Sequence, residues 1–201
     1  MLIFCQERGD SAKKIKNSFM KTIRYKIQFF SGWHCGSGLS AGADVDALVV
    51  KDKDGMPYVP GKTMKGLIRE AVENYVLLTG DDSAAVDETF GSEADMTGAA
   101  FFSNATLDEH EQKAIVSNGA QRYLYNKVTT TAIDENGIAK EHSLHSIETV
   151  VPCTLTGFVA YVPETMAEII GESLGLIKRI GLKRNRGLGR CNITLMEESE
   201  S

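Results

Sequence analysis

An α+β fold built around one antiparallel sheet is predicted by three features of this 201-residue chain. Residues 22–30 alternate apolar and polar, the period of a half-buried strand. Two later stretches space their apolar residues by three and four, the period of a helix packed on one side. Short β-rich runs separated by turn residues fill the remaining length, and no internal repeat or low-complexity linker interrupts them.

Taken in order, residues 1–20 are polar and aperiodic, with Lys13, Lys14 and Lys16, and read as a flexible lead-in. The domain is expected to occupy 21–201. Its first strand, Thr22 to Phe30, places Ile23, Tyr25, Ile27 and Phe29 on one face and Arg24, Lys26 and Gln28 on the other. Ser31 to Ala43 carries four glycines around Trp33, His34 and Cys35, which predicts a mobile loop allowing close approach to its backbone. Ala47–Val50 and Met56–Val59 flank an Asp54-Gly55 turn signal, a predicted hairpin. After Pro60 the positions Met64, Leu67, Ile68, Ala71, Val72, Tyr75 and Leu78 form a core-facing helix. A strand is expected at 99–107, and a short helix within 108–118. A projecting hairpin is expected over 121–145, and strands at 144–151 and 155–162. Pro163 opens a second helix, with Met166, Ile169, Ile170, Leu174 and Ile177 on its apolar stripe and Gly181 at its end. A last strand follows at 191–196. Strand, hairpin, helix, strand, insertion, strand, helix, strand is the order of a ferredoxin-like, RRM-like βαββαβ sheet carrying a long insertion.

Composition narrows the class. With 42% hydrophobic and 24% charged residues the chain can bury a core. No apolar run approaches the roughly 18 residues that span a bilayer, and residues 2–5 are too few for a signal-peptide core, so a cytoplasmic protein is expected. Cys5, Cys35, Cys153 and Cys191 lie far apart with no CxxC pair, which suggests neither a zinc module nor a disulfide framework. The net charge is −5, but it is unevenly placed. Residues 178–190 hold six cations and no acid, whereas 81–95 hold six acids and no cation, so only the first segment suits a polyanion.

Two nucleotide motifs fail on spacing. Gly61-Lys62-Thr63 opens a helix as a P-loop does, but the glycine needed five places earlier is Met56, and Pro57 and Pro60 lack backbone donors. Gly187-x-Gly189 lacks the third glycine of a dinucleotide fingerprint and leads into a strand.

What remains is Tyr58 to Arg69, with Pro60-Gly61-Lys62-Thr63-Met64-Lys65-Gly66 at its centre, and Arg184-Asn185-Arg186-Gly187-Leu188-Gly189-Arg190. Together these resemble the RAMP superfamily, the proteins that build type III CRISPR antiviral effector complexes, and most closely their backbone subunits. Phe101 to Leu107 resembles a strand of that family, and Ser143-Leu144 through Glu148 to Pro152 resembles its return strand. The likeness runs from about 20 to 197, and Lys62 departs from it by standing where the family often has serine.

The physical reading agrees. Gly187 and Gly189 allow close backbone approach, Lys183, Arg184, Arg186 and Arg190 offer phosphate contacts, and Lys62, Lys65 and Arg69 add charge near a helix start. RNA is expected to run over the sheet face and the glycine-rich loop. The resemblance further implies guide and target RNA, other effector subunits and copies of the chain itself in a filament as partners, no membrane, and 121–145 as a thumb over the neighbouring copy. It implies Asp46, with Asp44, as the carboxylates that hold Mg2+ for endoribonuclease cleavage of target RNA. Two alternatives stay open: a non-catalytic structural RNA-binding subunit, and a stand-alone guide-RNA-processing endoribonuclease with His34 as general base.

Overall fold

The structure, a computed structural model, describes residues 20–40, 45–80, 84–92, 98–131, 134–138 and 143–196. Its main sheet has four antiparallel strands in the order β2-β5-β1-β6. They are β1 (Met20–Phe29), β2 (Phe101–Phe102), β5 (Thr154–Pro163) and β6 (Cys191–Leu195). A separate two-stranded sheet pairs β3 (Tyr125–Thr130) with β4 (His145–Val150) in antiparallel register, Val128 opposite Ile147. The helices are α1 (Gly61–Thr79), α2 (Ala84–Phe90), α3 (Glu109–Ser117) and α4 (Glu164–Leu174). The α+β class with antiparallel sheets is therefore as expected.

The alternation of β1 decides where the core lies. Tyr25 and Ile27 are fully buried and Ile23 and Phe29 nearly so, while Arg24, Lys26 and Gln28 are exposed. Helices α1 and α4 pack against each other, and their buried Met64, Ile68, Val72, Met166, Ile170 and Leu174 join the β1 residues in one cluster. Each such side chain contributes about 2 kcal/mol by leaving water. Both helices start from a proline cap, Pro60 and Pro163, whose extended backbone supplies the first carbonyl and whose missing N–H costs nothing there.

Three local expectations change, and one segment without an assigned element gains one. The loop after β1 is a packed ribbon: Trp33 is fully buried, stacks on Phe29 at 4.7 Å and bridges Val150, and Gly36 bridges Val49. Within it Gly36 packs against the His34 ring, while Gly38 has open space around it. The predicted hairpin around Asp54-Gly55 keeps its turn, where Asp52 Oδ1 accepts from the Asp54 and Met56 N–H groups, but its arms are single bridges, because Val49 and Val59 pair with Gly36 and Ala105. The second helix stops at Leu174 with Gly175 after it, and Gly181 sits in the following loop. Part of the acidic stretch is helical, with Val86 and Phe90 buried. Of the lead-in, only Met20 lies within the described residues, as the start of β1.

Candidate nucleic-acid interface

The glycine-rich basic loop is docked by backbone pairing to the segment that follows β1. Phe30 N–H donates to the Arg190 carbonyl, Gly189 N–H to Gly32, and Ile180 N–H to the Gly189 carbonyl, at 2.8, 2.8 and 2.9 Å. Leu182 N–H donates to the His34 carbonyl at 2.8 Å. The loop 178–190 is thereby laid against 30–34. Only glycine fits at 181 and 189: both have positive φ, +96° and +70°, and a Cβ would fall 2.2 Å from the His34 oxygen and 1.9 Å from the Ile180 oxygen. Gly187 also has positive φ, yet its surroundings are open.

This docking makes a groove. Lys62, at the start of α1, and Arg184, in a one-turn 3-10 helix at Arg184–Arg186, line it together with Gly36, Thr63 and Leu182. Arg184, Arg186 and Arg190 are exposed. Gly61 fixes the helix start: its N–H donates to Asn104 Oδ1 at 2.9 Å, and a Cβ would overlap the Phe102 carbonyl. Lys183, in left-handed backbone, reaches Thr130 Oγ1 of the hairpin at 3.2 Å.

Arg69 faces a different task. Its guanidinium pairs with Glu73 at 2.7 Å and Asp87 at 3.1 Å and donates to the Gly91 carbonyl, and hydrogen bonding to Glu73 heads the interactions that raise its pKa. It ties α2 to α1, so the acidic stretch supplies a partner that neutralises one of the expected RNA contacts. Lys65 lies on the same helix, half-buried.

His34 is buried. It is 1% exposed and its Nδ1–H donates to the Glu148 carbonyl at 2.6 Å, so the ring locks the ribbon onto β4. A surface general base needs an accessible ring nitrogen beside substrate.

Asp46 lies on the segment that runs along β4. Its Oδ2 accepts from the Ser146 N–H at 2.7 Å and lies 2.9 Å from His145 Nδ1, and its own N–H donates to the Ser146 carbonyl. The Ser146 hydrogen bond, then His145, hold its carboxyl below the ordinary range. Two residues on, Glu148 answers from the other side, accepting from Val49 N–H and pairing with Lys51. The two carboxylates form a clamp between 46–51 and β4. Asp44 lies outside the described residues. Among those described, no three His, Cys, Asp or Glu groups come together to hold a metal, and one oxygen of Asp46 is already occupied by two donors. His145 is the member of this cluster that sequence reasoning missed; it stands opposite Thr130 in the hairpin, a register that no local pattern gives.

The three described thiols are free, and burial pushes Cys35 up to about 12 and Cys153 and Cys191 up to about 11, which disfavours the thiolate form.

The family model of the RAMP superfamily matches residues 26–192, which takes in both basic motifs, β2 to β5 and parts of β1 and β6. The chain belongs to the RAMP superfamily. Among solved structures, this RAMP chain resembles a chain in the cryo-EM structure of the Type III-B Cmr-beta bound to cognate target RNA. The TM-score is 0.67 at 11% identity, over 89% of this chain and 98% of that one. A chain in the apo state of Type III-B Cmr-beta gives the same TM-score and identity over 88% and 98%. At this identity the likeness is one of fold. No curated protein matches. Among the described residues no helix is long and apolar enough to cross a membrane.

Proposed function

We propose that this RAMP protein is an RNA-binding subunit of a type III CRISPR effector complex, contacting guide RNA, target RNA, neighbouring effector subunits and further copies of itself. The observation that carries the reading is the groove in which Lys62 and Arg184, from distant parts of the chain, converge over glycine backbone. Cations over a floor of accessible main chain suit a phosphate backbone, which is held by charge rather than by base identity. Family membership and the likeness to chains of the Cmr-beta complex support the assembly.

The strand order β2-β5-β1-β6 with α1 and α4 is read here as the ferredoxin-like arrangement, and the β3–β4 hairpin as the thumb that reaches a neighbouring copy. Exposed Tyr123 and Leu144 near its ends are the contacts it would offer. The subunit is read as non-catalytic, because Asp46 serves the clamp on β4.

Replacing Lys62 and Arg184 by alanine tests the groove. RNA affinity should fall at low salt, and the slope of log affinity against log salt should drop by about 0.7 for each lost phosphate contact to a single strand. Unchanged affinity and slope would overturn the reading.

A further inference from the structure

The face of the main sheet turned away from α1 and α4 is uncovered among the described residues, and its chemistry is uneven in a telling way. None of the four strands contains Asp or Glu, although the chain as a whole is acidic. The outward row of β1 is Arg24, Lys26 and Gln28, and Phe30 follows at the end of the strand. Pairing places Arg24 opposite Phe158, Lys26 between Thr156 and Thr194, and Gln28 between Thr154 and Asn192.

Aromatic rings stand at both ends of this row. At one end Phe101 and Phe158 lie 6.0 Å apart, with the Arg24 guanidinium 5.9 Å from the Phe158 ring. At the other, Arg190 lies 5.6 Å from the ring of Phe30. Phe101 and Phe30 are 54% and 47% exposed, well beyond what a covered core needs. From Arg24 to Phe30 the row spans about 20 Å at the usual strand rise. None of Arg24, Lys26 and Arg190 appears in an ion pair among the described residues, whereas Lys21 on the same strand pairs with Glu164.

We propose that this open sheet face is a platform for single-stranded RNA, with bases stacking on Phe30 and Phe101 and phosphates met by Arg24, Lys26 and Arg190. Exposed rings interleaved with cations on a rigid sheet bind unpaired bases, because every base offers a π-face and the cations follow the backbone. The threonine, asparagine and glutamine side chains between them can exchange hydrogen bonds with 2′-hydroxyls and base edges. A second copy of the chain is the poorer occupant, since two such faces would oppose cation to cation with no acid between. The choice of RNA rests on the proposed function. The face itself is separate from the Lys62–Arg184 groove.

The test is binding of fluorescent oligouridine and of the matching oligodeoxyribonucleotide to the full chain across a salt series. The variants are Phe30→Ala with Phe101→Ala, Arg24→Gln with Lys26→Gln, and Lys62→Ala with Arg184→Ala. The aromatic pair should weaken RNA binding by roughly ten-fold for each ring. The Arg24/Lys26 pair should cut the salt slope by about 0.7 per residue. Thiouridine crosslinks should map to β1 and β2, which keeps the test decisive if the aromatic variant folds poorly. Normal binding by both sheet variants, with loss only in the groove variant, would overturn the platform and leave the groove reading intact. Loss only in the sheet variants would sink the groove and keep the platform. Equal affinity for DNA overturns the commitment to RNA. Unchanged RNA binding with altered sedimentation of the sheet variants would mark the face as a contact between copies instead.

Discussion

In the main sheet, β1 pairs over eight residues with β5 and over five with β6, and the packing beneath it comes from side chains spaced by two. In the lobe formed by 31–60, β4 and 178–190, pairing comes as single bridges, Trp33 to Val150, Gly36 to Val49, Ala47 to Ile147 and Arg179 to Arg190. The sheet is held by apolar area, which tolerates small changes in any one side chain. In the lobe, Gly181 and Gly189 lie so close to the His34 and Ile180 carbonyls that a methyl group has no room. The proposed groove belongs to the second region, so its geometry depends on a few glycines.

Gly189→Ala is expected to break this contrast hardest. Left-handed backbone costs a non-glycine residue roughly 1–2 kcal/mol, and overlap with the Ile180 carbonyl adds about 1–3 more, so a loss near 3 kcal/mol should appear in urea melts. Gly187→Ala has the same backbone sign but open space around it and should cost only about 1 kcal/mol. Equal losses at the two positions would show that the lobe is not held by close approach.

Asp46→Ala probes the clamp from the side-chain end. The carboxyl is depressed in the folded chain, so its contribution is present above the ordinary carboxylate value of 3.8 and is lost as pH falls below it towards the lower folded value. Wild type should therefore lose stability over that acid range more steeply than Asp46→Ala, and the variant should be the less stable at neutral pH. Parallel acid profiles would mean that the Ser146 and His145 contacts do not hold the lobe.

How much was legible follows the same division. The alternation of 22–30 and the three-and-four spacing of α1 are local patterns that burial enforces, and both elements stand where they were read. Ala47–Val50 looked like a strand arm because Val49 and Val50 favour β structure, but its partners are Gly36 and Ile147, which no local pattern reveals. The basic run 178–190 was visible as charge. Which cations remain available was not, since Glu73 lies one helical turn from Arg69 but Asp87 arrives only through the fold. The packing of His34 was hidden for a related reason: a glycine-rich loop reads as mobile until its long-range partner, here the Glu148 carbonyl, is known.

Tyr25→Phe, the smallest of these changes, sharpens the comparison from the sheet side. The Tyr25 ring lies over Gly157, which faces it across the β1–β5 pair, and its hydroxyl is buried with no hydrogen-bond partner among the described residues, while burial raises its pKa. A polar group taken from water without a replacement bond costs about 1–3 kcal/mol, and the phenyl ring keeps nearly all the apolar contact. The variant should therefore be as stable as wild type or gain up to about 1 kcal/mol, with RNA binding unchanged. A clear loss would reveal that the hydroxyl is satisfied in solution, and that this strand too depends on a specific polar contact rather than on buried area alone.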